Sequence, residues 1–516
     1  MPGSLLRPDV IADLTRDIVS TSGEVADIAA PFTLERLHSL PLSSVDDVER
    51  AAERARFAQL AWHRAGFAHR RRVLLRAHDL LLERRHLLLD AVQSETGKTR
   101  GQAFEEVFQS ASVTRYCAVS AERVLREHGR RSGIPTVLRT RVDLRPKGLI
   151  GVITPWNFPL SLSTMDVVPA LAAGNAVLQK ADHQGALSIL ASRRAFIDAG
   201  VPEDLWQVVT GPGTVVGTAV TDAVDHVCFT GSTATGRVVA ERAASRLIGA
   251  SLELGGKNPL LVLDDVDPER AARDAVYACF ASMGQLCVGI ERIIVHRSVA
   301  DEFISAFTRR VEALSIGPAF DYTTDAGSLT LPSQLDNTQR HVADALAKGA
   351  TLLTGGHTLP HLGPLFYAPT VLTGVTPDME CHAGETFGPV VSVSIVDSEA
   401  EAIVAANDSE YGLNAAIFSG STRRARRIAA ALEVGSVNIN EGYRATFSAI
   451  DAPMGGAKQS GLGRRNGPEG LLRFTESRTV SSATGVMDLP TRGHEFSPLT
   501  GVMVGLLVAL RTFRLR

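Results

Sequence analysis

Cys287 stands in GQLCVG, residues Gly284 to Gly289, after a helical stretch and before an apolar run. Loops at such junctions carry reactive groups, and flanking glycines let a ligand approach the backbone closely. For this segment alone, an inert buried thiol is the competing reading. Glu253 lies in LELGGK, directly before two glycines and the apolar run Leu260 to Leu263. A carboxylate there is a candidate general base, or else a solvated glutamate in a turn. Asn157 sits in PWNFP, where two prolines fix the backbone and aim the amide, as an oxyanion donor requires; a plain Asx turn is the alternative. Thr230-Gly231-Ser232 reads as a turn between a strand and a helix whose amides face a pyrophosphate, although the spacing is not G-x-G-x-x-G. The string TGKT, Thr96 to Thr99, lacks the upstream glycine and strand of a triphosphate loop, since Val92 stands where that glycine belongs.

Elements must position these groups. From Ser44 to about Glu127, apolar residues recur at helical spacing, as in Val73, Leu74, Ala77, Leu80 and Leu81. Thr136 to Arg145 alternates charged and apolar residues with a period of two, a half-exposed strand. Short apolar runs follow (148–154, 176–179, 207–210, 223–229 and 260–263), separated by helical stretches at 186–199 and 236–244. That alternation predicts a doubly wound parallel sheet. It starts again at Asp267, with a helix opening at Pro268, the loop around Cys287, a strand at 292–296 and a helix at 299–314. The fold class is therefore α/β.

The chain has 516 residues, more than one core accommodates, so two or three packed domains are expected. Fifty-three basic and 56 acidic residues balance to a net charge of -3, which offers no footprint for nucleic acid. Five scattered cysteines, with no Cys-x-x-Cys pair, predict no metal site and a reducing, cytoplasmic compartment. Met1 to Val10 shows no signal peptide pattern. Leu499 to Leu510 is nearly all apolar and is followed by Arg511, Arg514 and Arg516. This run is shorter than the roughly 20 residues that span a bilayer, so the tail is expected to pack on protein rather than on a membrane.

Taken in order, ETGK at Glu95, PWNFP at Pro155, PALAAGNAVLQK ending at Lys180, FTGS at Phe229, LELGGKNP at Leu252, GQLC at Gly284, ETFGP at Glu385, YGLNA at Tyr411 and PMGGAKQSGLGR at Pro453 resemble the aldehyde dehydrogenase superfamily over roughly residues 30 to 480. The resemblance implies that Cys287 is the nucleophile, Glu253 the general base, and Asn157 with the Cys287 amide the oxyanion hole. Trp156, Asn157, Lys180, Gly231, Ser232 and Leu254 resemble cofactor-contacting positions, and Glu385 and Phe387 those that hold the nicotinamide ribose and ring. It further implies a dinucleotide-binding domain at 1–127 and 147–255, a catalytic domain at 256–473, an oligomerisation arm at 128–146 and 474–488, a tail at 489–516, and a homodimer or homotetramer. His183 stands where NAD-preferring relatives often have glutamate, so NADP is the expected cofactor ahead of NAD: an imidazole donates to a 2′-phosphate and takes up a proton beside it.

Three positions depart from the common pattern. Asp166 replaces a lysine or arginine nine residues after Asn157, Arg465 replaces a glutamate after GLGR, and FASMGQLC lacks the arginine with which some succinate-semialdehyde members hold the distal carboxylate. In wider texture the chain is similar to bacterial succinate-semialdehyde dehydrogenases of the NADP type. Another aldehyde, a coenzyme A-acylating reaction, or a non-catalytic binding protein of the same fold are the alternatives.

Overall fold

The computed structural model describes residues 3–514. Met1 and Pro2, where the N-terminal reading begins, and Leu515 and Arg516, with the third tail arginine, lie outside the described residues.

The helical region folds as four successive helices, Val45–Arg64, Gly66–Glu83, Arg85–Thr96 and Arg100–Leu125. A capping box starts the first: Ser44 Oγ accepts from the Asp47 N–H while the Asp47 carboxylate accepts from the Ser44 N–H. The third ends at Gly97, whose φ of 71° closes the helix in the left-handed region, so TGKT is a helix terminus.

These helices cover a six-stranded sheet in the order Gly461–Leu462, Gly249–Glu253, His226–Thr230, Leu149–Ile153, Ala176–Lys180 and Trp206–Val209. All are parallel except the first, a two-residue antiparallel edge. Helices on both faces bury Ile150, Val152, Val177, Leu178, Val208 and Val227 completely, which is why these strands read as unbroken apolar runs. After Trp206–Val209 the chain crosses to the other side of Leu149–Ile153, so the strand order reverses at that strand. Ligand crevices of open α/β sheets form at the carboxyl ends of strands at such a reversal.

The second sheet has seven strands, in the order Thr351–Thr354, Thr370–Thr373, Val390–Val396, Ile290–His296, Asn258–Val262, Asn414–Phe418 and Ser436–Ile439, parallel but for the first. A separate three-stranded sheet joins Thr475–Ala483, Leu138–Pro146 and His128–Arg130.

Two features differ from the sequence reading. The assignment of 256–473 to one domain meets a chain that returns earlier: Gly461 pairs with Glu253 and Leu462 with Leu252, in the first sheet. The tail is also longer than its apolar run. Its helix spans Gly493–Thr512, 20 residues, because a cap at Arg492 and Glu495 extends it through polar residues; no residue in it is fully buried within this chain, and Leu499, Met503, Leu506 and Leu510 are half-buried along one stripe.

Candidate active site

The carboxyl ends of the first sheet face the loops that enter the strands of the second. Between them is a pocket of about 380 Å³ lined by Trp156, Asn157, Thr230, Gly231, Ser232, Glu253, Leu254 and Gly255 from one side, and by Cys287, Gln334, Asn337, Glu385 and Phe387 from the other. Nine of the residues singled out in the sequence meet here.

Cys287 follows a turn in which Ser282 (φ 51°), Met283 (φ 55°) and Gly284 (φ 70°) are all left-handed. A Cβ on Gly284 would lie 2.1 Å from the Gly388 carbonyl oxygen, so only glycine fits. Gln285 pins this loop: its side-chain N–H donates to the Ser282 carbonyl (3.1 Å) and its side-chain oxygen accepts from the Thr330 N–H (2.9 Å). The Gln285 carbonyl accepts from Asn157 Nδ2 at 3.1 Å, which fixes that amide beside the thiol with one of its two donors. Of the five cysteines only Cys287 is not fully buried. Burial first, then the Glu385 and Glu253 carboxylates, push its thiol up to about 12.

Glu253 ends its strand and is buried. Burial pushes its carboxyl up to about 7, against the downward pull of Arg465, Arg473 and Arg464, with Asp166 adding to the rise. A carboxyl so placed is half-ionised near neutrality, as a base for water requires. Glu385 is raised to about 8 by burial and then by Glu291, while the Gly256 N–H, donating at 2.9 Å, acts in the other direction.

Two of the three sequence departures, Asp166 and Arg465, turn out to be partners. Asp166 accepts from Arg465 Nε (2.9 Å) and Nη2 (2.5 Å), and from Arg473 Nη2 (2.6 Å), with Asp166 and Arg465 both fully buried. Burial alone would raise the Asp166 carboxyl, but the two guanidiniums outweigh it and hold it below the usual range. Arg465 also donates to Thr230 Oγ1, and Thr230 is the register partner of Glu253. A guanidinium therefore stands behind the candidate base.

Sequence reasoning missed the support beneath Asn157. Lys98, in the TGKT string, is buried; its Nζ donates to the Asn157 carbonyl and to Glu106, each at 2.7 Å, and lies 3.5 Å from the centre of the Phe158 ring. Glu106 accepts in turn from the Leu160 and Ser161 N–H groups. Nothing local shows what Glu106 supports, since the Leu160 and Ser161 amides it accepts from lie more than 50 residues away.

Lys180 and His183 do not line the pocket. They lie at the carboxyl end of Ala176–Lys180, two strands beyond His226–Thr230 in the same sheet. His183 Nε2 is buried without a hydrogen-bond partner. Burial, then the Lys180 charge, hold this imidazole below its ordinary value. Asp182 spends one oxygen on its own turn, accepting from the Gln184 N–H at 3.1 Å, and the other lies 4.0 Å from Lys180 Nζ. Among the described residues no cluster of His, Cys, Asp and Glu could hold a metal ion.

A sequence profile of the aldehyde dehydrogenase family matches residues 18–480. The chain belongs to this family. It is 48% identical over 452 residues, 88% of this chain and 87% of the other, to a Mycolicibacterium smegmatis protein named "Putative succinate-semialdehyde dehydrogenase (NADP+)". A solved structure described as an E. coli NADP dependent enzyme superposes with a TM-score of 0.87 at 33% identity, covering 90% of this chain and 96% of that one. The NAD+ complex of an aldehyde dehydrogenase from Bacillus cereus gives 0.88 at 31% identity, covering 93% and 99%. The aldehyde dehydrogenase fold thus accounts for both large sheets and the three-stranded one, and the match ends before the tail.

Proposed function

We propose that this enzyme oxidises an aldehyde to its carboxylic acid through a thioester on Cys287. The convergence of Cys287, Asn157 and Glu253 on one pocket carries this reading. An aldehyde has no leaving group but hydride, so addition of the Cys287 sulfur must produce a tetrahedral oxyanion that needs donors. The second N–H of Asn157, with the Cys287 amide, supplies them. The thiol is a poor nucleophile while protonated, and Glu253, ionised above about pH 7, is the base in the same pocket that can take its proton. A nicotinamide dinucleotide, when bound, supplies the hydride acceptor. Glu253, having passed the thiol proton to solvent, then deprotonates the water that attacks the thioester carbon; the C–S bond breaks, and the acid and the Cys287 thiolate are released.

Gly231, Ser232 and Leu254, with Glu385 and Phe387, would hold the nicotinamide end, and Lys180 and His183 the adenosine ribose. The unpartnered His183 Nε2 and the absence of a carboxylate at that position favour NADP over NAD. The names of the relatives point to succinate semialdehyde. Arg444 is the cation we assign to its distal carboxylate: it is half-exposed, paired with Glu441 at 2.7 Å and stacked 4.4 Å from the Tyr277 ring centre. Its neighbour Gly442 shares with Val288, next to Cys287, the amide of Asn414. We further assign the first sheet to cofactor binding, the second to catalysis and the three-stranded sheet to pairing between subunits, and the unpaired cysteines to a reducing compartment.

Cys287→Ala should abolish reduced-cofactor formation, whereas Glu253→Gln should slow the single-turnover burst, which needs the Cys287 thiolate, and lose steady-state turnover, which also needs water deprotonated. Arg444→Met should raise KM for succinate semialdehyde at least about tenfold while leaving an uncharged aldehyde of equal length unaffected. Turnover that required coenzyme A would replace hydrolysis by acyl transfer. Steady-state activity retained in Cys287→Ala would sink the mechanism.

A further inference from the structure

We infer that the C-terminal helix Gly493–Thr512 is a bilayer anchor, its sides buried in hydrocarbon and its terminal arginines set among anionic headgroups. The family match ends at residue 480, so this helix lies wholly outside the matched residues. It is the one helix among the described residues long and apolar enough to cross a membrane, and none of that window is buried against the rest of the chain. A core helix of similar composition would be mostly buried. Twenty residues make about 30 Å of helix, the thickness of a bilayer's hydrocarbon core.

The distribution of its side chains decides what covers it. At roughly 100° per residue, Phe496, Val508 and Val502 point in directions about 120° apart. They are 52%, 57% and 66% exposed. A protein partner covers one stripe of a helix, whereas lipid covers every side. Charge agrees with this. No charged residue occurs from Phe496 to Leu510, and Arg511 and Arg514 follow. Beside the helix a groove of about 890 Å³ brings Leu507 and Leu510 opposite Arg130, Arg139 and Arg141 of the three-stranded sheet and Arg131 of the loop between its strands. Cations flanking an apolar helix fit a surface that carries negative headgroups.

The test is flotation of the full chain with phosphatidylcholine vesicles, with and without about a quarter phosphatidylglycerol, at about 0.15 M and 1 M salt. The comparison is the full chain carrying Val504→Glu and Val508→Glu. Both sites are exposed, so folding and aldehyde oxidation should be unchanged. The parent should float with the anionic vesicles, stay with them at high salt, and exceed the variant at least about tenfold. Three results would overturn the inference: no flotation of the parent, equal flotation of the variant, or release of the parent by high salt. A change in oligomeric size in the variant, without vesicles, would mean instead that a second copy of the chain covers the helix.

Discussion

Glu253 is held between burial, which favours its neutral form, and Arg465, which favours its charge. Because the base must be ionised to act, steady-state turnover should rise with pH through about 7 and level off above it. Removing the guanidinium in Arg465→Met withdraws the support for the charge. The rising limb should then move to higher pH, with the rate at pH 7 falling about tenfold. An unchanged limb would show that Arg465 serves only Asp166. Asp166→Asn is the complementary case. It leaves two buried guanidiniums without their carboxylate, and should cost about 3–5 kcal/mol in urea unfolding while moving the limb to lower pH. At the ribose end, His183→Glu restores a carboxylate facing the 2′ position. The ratio of kcat/KM for NADP to that for NAD should drop by about 5- to 150-fold, and no change would refute the assignment of His183.

The turn that presents Cys287 shows what an element can require of one residue. Ser282 and Met283 accept left-handed backbone at a cost of roughly 1 kcal/mol each, and Gly284 completes the run against the Gly388 carbonyl. Gly284→Ala should lower stability by about 2–4 kcal/mol and kcat/KM by at least about tenfold, read from urea unfolding and from initial rates. Full activity would show that the loop's position is not critical. Elements like the buried parallel strands were legible because their apolar runs are continuous and alternate with helices. The hairpin of Val25–Ala29 and Arg36–Pro41 was not: Asp27 interrupts one short strand, and Arg36, His38 and Ser39 the other, so neither shows a continuous apolar run. The edge Gly461–Leu462 is too short for any periodicity. In the site, motif residues were visible singly, whereas Lys98 under Asn157 and the pairing of Asp166 with Arg465 depend on contacts that only the fold creates.

Over the whole molecule, the three-stranded sheet leaves Thr475–Ala483 as an edge strand with eight of its nine residues exposed, a surface suited to pairing with a second copy. Val480→Pro removes a backbone donor at mid-strand, and should convert an oligomer to a monomer by sedimentation; the same mass for parent and variant would place the interface elsewhere. The return of the chain to the first sheet also has a consequence in time. Asp166 is made 299 residues before the arginine that neutralises it, and the edge strand beside Glu253 arrives equally late. At about 5–20 residues per second, a ribosome takes roughly 15–60 s to cover that interval. Throughout it, the nascent first half carries a carboxylate that it cannot bury and a sheet that it cannot close. Chains stalled before Gly461 should therefore remain protease-sensitive even with every parallel strand of that sheet already synthesised, and the first sheet should become resistant only when the end of the second has been made.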